Sequence, residues 1–154
     1  MKNNKGFSLV ELIIVIAIMA ILVGVMAPQL IKYIEKSKVS SDTQTADAVH
    51  TAILTAMMDP EVVNHSGYNN STIVKGTSAM SVTKLTNSDV VGSAALEILG
   101  ESGSGANITK RLKSTNASDI CFQVVGNNKV SVWVPGSDSR GSKSSTGNYT
   151  IVIQ

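Results

Sequence analysis

The chain has 154 residues, 43% of them hydrophobic, with 13 basic and 11 acidic side chains and a formal net charge of +2. That length holds one domain, or one small domain with an appendage, and so small a charge gives no electrostatic case for a nucleic-acid binder. The single cysteine, Cys121, excludes an intrachain disulfide framework. The apolar residues are unevenly spread: residues 7–31 hold 20 of them in 25 positions, and the other 129 residues are only about 36% hydrophobic, lean for a globular domain. One soluble domain with an evenly distributed core does not fit this pattern.

In chain order, the basic residues Lys2 and Lys5 come first, then 20 uncharged residues, 12–31. As a helix at ~1.5 Å per residue this stretch is ~30 Å long, about one bilayer core. A buried core helix is disfavoured, because a domain of about 120 residues cannot wrap it on all sides. A cleaved secretory signal would be shorter and end at a small-residue site. Here the segment runs through Gly24, Pro28 and Gln29 into an amphipathic stretch. It is expected to insert in a membrane and to stay in the mature protein. Lys2 and Lys5 favour a cytoplasmic N-terminus. The bulk of the chain is then translocated, and 31 of the 123 residues after Ile31 are Ser or Thr. Glu11 stands out at the start of the apolar run, since a carboxylate at membrane depth costs a few kcal/mol. Either it reaches the interface or it waits for a positive partner, such as a free N-terminal amine of a neighbouring copy.

Apolar residues continue at helical spacing through Val39, Ala46, Val49, Ile53, Ala56 and Met57, with Lys38, Asp42, Gln44, Asp47 and His50 largely off that stripe. Pro60 is a stop. The pattern predicts one helix from about Phe7 to about Met58, roughly 75–80 Å long. Residues 59–116 read as a connector with short helices, one over 89–99 with Ser88 as N-cap and Gly100 at its end, another over 106–113. Lys110, Arg111 and Lys113 make a small basic cluster, a solvated helix end rather than a nucleic-acid platform, which would need interleaved aromatics. Residues 119–125 alternate, meet the turn Gly126-Asn127-Asn128, and are followed by Val130, Val132 and Val134, with Pro135 and Gly136 ending the hairpin. After a Gly/Ser-rich loop carrying Asp138, residues 149–153 form a last strand. The fold class is therefore α+β: a long N-terminal helix, hydrophobic then amphipathic, packed on a small C-terminal three-stranded antiparallel sheet. No catalytic constellation appears. His50 and His65 have no metal-ligand spacing, and the Asp138 loop lacks the dense acidic pattern of a calcium site. No cofactor or metal is expected. Asn-x-Ser/Thr triplets at Asn64, Asn70, Asn107, Asn116 and Asn148 reflect the Ser, Thr and Asn content.

The stretch Lys5-Gly6-Phe7-Ser8-Leu9-Val10-Glu11-Leu12, followed by the apolar run and the later Pro28, resembles the class III signal of type IV pilins. Pseudopilins of type II secretion and competence systems share that signal. About 30 residues carry the likeness strongly. It implies a leader, residues 1–6, cleaved between Gly6 and Phe7 by a prepilin peptidase that also N-methylates Phe7. It implies that Glu11 pairs with the Phe7 amine of an adjacent subunit, and that Gly24 and Pro28 bracket a region where the helix bends or loosens on assembly. The residues themselves leave a simpler alternative, a kinked membrane helix, because Pro28 cannot bond the carbonyl of Gly24. Domains follow as an assembly helix over 7–31, its amphipathic half over 32–58, the connector over 59–116 and the sheet over 117–154. The resemblance implies a structural subunit, not an enzyme, in a homo-oligomeric helical filament for adhesion, motility or attachment. Its implied partners are the peptidase, an assembly platform with its ATPase, and membrane lipid before assembly. The subunit resides in the cytoplasmic membrane, N-terminus inside, and then in an extracellular pilus. The alternatives are a pseudopilin and, more distantly, a signal-anchored enzyme or binding protein. The two-cysteine loop of many Gram-negative pilins is absent, and six scattered aromatics make no electron-conducting path.

Overall fold

The computed structural model describes residues 7–76, 78–114, 117–125, 129–136, 142–143 and 149–153, with the backbone alone for 136, 142–143 and 149–153. The expected leader with Gly6, the turn Gly126-Asn127-Asn128, the Asp138 loop and the triplets' Asn116 and Asn148 lie outside the described residues. Helix α1 runs over Leu9–Met58, 50 residues with Pro28 inside it. The chain divides into two units, Met1–Ser37 and Lys38–Gln154.

In the first unit the described part is almost entirely α1, and every residue from 7 to 34 is exposed. The side chains include Leu12 at 62% exposure, Ile21 at 68% and Ile31 at 68%. Among the described residues nothing buries this apolar surface. An all-round apolar helix with no cover of its own is matched to lipid or to other helices.

The second unit is built on residues 38–58 of α1. Ala46, Val49, Ala52, Ile53, Ala56 and Met57 are buried, the spacing of one helical face. They pack into a core with Ile73, Val82, Leu85, Val91, Leu96 and Ile108 from the connector, with Ile120 just before the sheet, and with Phe122, Val124, Val130, Val132 and Val134 from the sheet. The connector is more structured than its composition predicts. It holds α2 (Pro60–Val63), α3 (Thr72–Lys75), a two-residue strand β1 (Met80–Ser81), α4 (Val90–Ile98) and α5 (Ala106–Thr109), with 3-10 turns at Tyr68–Asn70 and Val82–Lys84. The N-cap of α4 is Asp89, not Ser88: its carboxylate accepts from the amides of Val91 and Gly92, as a cap residue does. Gly100 ends the helix as expected. It sits at φ +68, its N–H reaches the carbonyl of Glu97, and that of Glu101 reaches Leu96, the paired bonds of a Schellman stop. Helix α5 is shorter than expected and ends at Thr109.

The expected three-stranded antiparallel meander is present as β2 (Cys121–Val125), β3 (Lys129–Gly136) and β5 (Tyr149–Ile153), so the α+β architecture holds. Two edge strands extend it: β1 on one side and β4 (Ser142–Lys143) on the other, in the order β1-β2-β3-β5-β4. Phe122 faces Val132 and Val124 faces Val130 across the ladder, so the buried residues share one face of the pleat. Pro135 does not end β3 but pairs with Thr150. Beyond Trp133 the strand pairs with β5 and no longer with β2. A proline is tolerated there because one side of the strand has become an edge.

Candidate assembly site

The residues marked out by the sequence lie along the first unit. Phe7 precedes α1 and is 93% exposed. Ser8 stands immediately before the helix, and its carbonyl accepts from the Leu12 amide at 3.2 Å. The Glu11 carboxylate turns back and accepts from the Ser8 N–H at 2.9 Å. This is one half of a capping box, in which an acidic residue at the third helical position satisfies the N–H of the cap residue. The partial positive charge at a helix start favours a carboxylate there.

Glu11 therefore has a partner within its own chain, besides the interface or the neighbouring amine that the sequence suggests. The spacing Ser8-x-x-Glu11 was the available signal. Its energetic weight depends on the surroundings. In water the bond is exchangeable, whereas in an apolar environment no solvent competes for the carboxylate.

Gly24 and Pro28 do not join this group. They lie farther along an unbroken α1. A Cβ placed on Gly24 would have nothing within 4 Å, so the chain's own packing does not require glycine there. Pro28 lacks the N–H that would bond the Gly24 carbonyl. The pair marks a turn of helix with a missing rung and no side chain on one of its residues.

Elsewhere the polar residues serve the fold. His50, half-buried on α1, donates from Nε2 to the carbonyl of Val130 at 2.9 Å, tying helix to sheet. His65 accepts the Gly67 N–H on Nδ1 at 3.0 Å. Cys121 is half-buried in β2, and burial, then the Asp119 carboxylate, push its thiol up, which keeps it protonated. In the basic cluster, Arg111 pairs with Glu101 and Lys110 donates to the Asn107 side chain at 3.1 Å. Among the described residues no group of three His, Cys, Asp or Glu side chains could hold a metal.

Asp42 departs from expectation. The hydrophobic spacing puts it off the apolar stripe, yet it is fully buried. Its two carboxylate oxygens accept the backbone N–H groups of Lys113 and Ser114, each at 2.8 Å. Burial is tolerated because each carboxyl oxygen meets a backbone donor.

Helix α1 is long and apolar enough to cross a membrane, carries a carboxylate at its start, and packs under a small sheet along its far half. Residues 1–27 match the family described as the prokaryotic N-terminal methylation motif. The chain is 30% identical over 141 residues to the type IV wide pilus major component PilA4 of Thermus thermophilus, covering 92% of this chain and 87% of that protein. It is 30% identical over 127 residues to a fimbrial protein of Pseudomonas aeruginosa, covering 74% and 82%. It is 43% identical over 56 residues to the type IV major fimbrial protein FimA of Dichelobacter nodosus, covering 36% of each chain. No solved structure gives a significant match. The chain belongs to the type IV pilin family.

Proposed function

We propose that this chain is the major structural subunit of a type IV pilus, polymerising through α1 after its leader is removed. The observation that carries the reading is the uncovered apolar surface of residues 7–31 with Glu11 at its start. Such a surface is stable in only two solvents, lipid and sister helices. The names of the relatives, a wide-pilus major component and major fimbrial proteins, support the major-subunit role over that of a scarce pseudopilin.

Assembly then has four steps. The apolar helix stores the subunit in the cytoplasmic membrane, with the basic leader on the cytoplasmic side. A prepilin peptidase cuts between Gly6 and Phe7 and methylates the new amine of Phe7. Removal of Lys2 and Lys5 leaves 11 basic and 11 acidic side chains, so net charge does not oppose close packing of copies. In the filament the Phe7 amine of one subunit pairs with Glu11 of its neighbour, so neither charge stands alone in apolar surroundings. Glu11 exchanges its bond to the Ser8 N–H, or shares it, when that stronger partner arrives. Residues 24–28, already short of one helical hydrogen bond, loosen most easily as helices pack. An ATPase-driven platform supplies the work, and the resulting filament serves attachment or motility.

Glu11→Ala tests the pairing. The variant is expected to insert in membranes and to be cleaved like wild type, but to yield at least tenfold fewer surface filaments by electron microscopy. Wild-type filament yield would eliminate the pairing as the assembly device.

A further inference from the structure

The turn that follows the apolar segment is not used by this reading, and its chemistry is distinctive. Residues 12–31 carry no charge and as a helix measure ~30 Å, one hydrocarbon core. The next turn of α1 holds Lys32, Tyr33, Glu35 and Lys36. Whichever way the helix is inserted, a membrane that covers the apolar stretch places this turn at the depth of the lipid headgroups. Lys32, Tyr33 and Lys36 are all exposed, Tyr33 at 65%. The Lys36 ammonium stands 5.7 Å from the centroid of the Tyr33 ring, within range of a cation–π contact.

Lys32 and Lys36 are four residues apart, on one face of the helix. Like charges at that spacing repel and destabilise a helix by a few tenths of a kcal/mol, unless an anion sits between them. Residues 32–38 contain three lysines and one glutamate, so the glutamate does not neutralise the turn. A tyrosine, apolar in body and polar at its tip, favours the boundary between acyl chains and headgroups.

We propose that Lys32, Tyr33 and Lys36 form a headgroup-binding turn for anionic phospholipid, which fixes the depth of α1 in the membrane before assembly. The two ammonium groups take the phosphate oxygens, and the Tyr33 ring lies at the acyl boundary beneath Lys36. This rests on the reading that the subunit is stored in the membrane. A bilayer poor in anionic lipid holds the helix less firmly in register, and extraction of the subunit requires release of this contact.

The test uses the full-length chain reconstituted in vesicles of phosphatidylcholine with a minority of phosphatidylglycerol. Spin-labelled phosphatidylglycerol and phosphatidylcholine report, by electron paramagnetic resonance, which lipid the protein holds at its boundary. Wild type is expected to prefer phosphatidylglycerol, with the preference weakening as salt is raised. Lys32→Gln combined with Lys36→Gln should lower that preference, by at most roughly fivefold per lysine, while the protein still sediments with the vesicles. Lys32→Arg with Lys36→Arg should retain it. Lys2 and Lys5 are common to all variants and cancel in the comparison. An unchanged preference in the double glutamine variant overturns the proposal, and if that variant also loses filaments the turn faces a sister subunit instead. Failure of wild type to enter the vesicles overturns the membrane-stored reading itself, a different result from entry without lipid selectivity.

Discussion

Two carboxylates decide much of the second unit. Asp42 accepts two backbone N–H groups that lie more than 70 positions away in the chain. Asp42→Ala leaves both donors without that partner, and is expected to cost about 2–3 kcal/mol. Denaturant titration of the full chain in mild detergent, followed by fluorescence of the single Trp133, checks it. Asp89 caps α4 and also takes Ser71 Oγ at 2.7 Å and the Thr72 amide at 2.8 Å. Burial pushes its carboxyl up, but the hydrogen bonds from Ser71, Gly92 and Thr72 together outweigh it and hold the group below its ordinary value. The folded state therefore favours the ionised form. That stabilisation is complete above the unfolded carboxylate pKa of about 3.9 and is lost as pH falls through the lower folded value. Asp89→Asn should be less stable than wild type at pH 7, and the gap should narrow in the acid range. A constant gap at every pH would contradict this account of Asp89. Asp42 was legible in principle: residues 42, 46, 49, 53 and 56 share one helical face. A charged side chain in a helical pattern marks the solvent face unless its donors are in view, and those of Asp42 lie far away in sequence. Ser8 and Glu11, by contrast, are three residues apart, and the motif that joins them is local.

At the scale of elements, segments that carry a period or clear end signals are readable, and several of the shortest are not. Helix α1 and strand β5 repeat a pattern over enough residues to identify themselves. Strand β1 and helices α2 and α3 have two to four residues each, too few for a period. Tertiary contacts hold them: Ile73 of α3 and Val62 of α2 are buried. Gly105 shows how tightly this region packs. It precedes α5, its N–H bonds the Leu85 carbonyl at 3.0 Å, and a Cβ on it would overlap the Val82 carbonyl oxygen. Gly105→Ala must push α5 away from the Val82 turn. It is expected to cost at least about 2–3 kcal/mol, read as a lowered denaturation midpoint in the same assay. An unperturbed midpoint would mean that α5 is not packed as described.

At the scale of the whole molecule, the sequence announces two environments for one chain. The crowding of apolar residues into positions 7–31, the lone Glu11 and the Gly6-Phe7 junction all lie within about 30 residues, so the family was legible without tertiary information. The helix-on-sheet core needed the structure, because its contacts join residues on α1 to strands some 70–80 positions later, as His50 joins Val130. On the proposed function, the chain becomes a filament subunit by losing its leader and exposing Phe7 as a new terminus. Mass spectrometry of the N-terminal peptide from native surface filaments tests it most directly. The expected result is a chain that begins at Phe7 with a methylated amine. An intact Met1 in assembled filaments would contradict it.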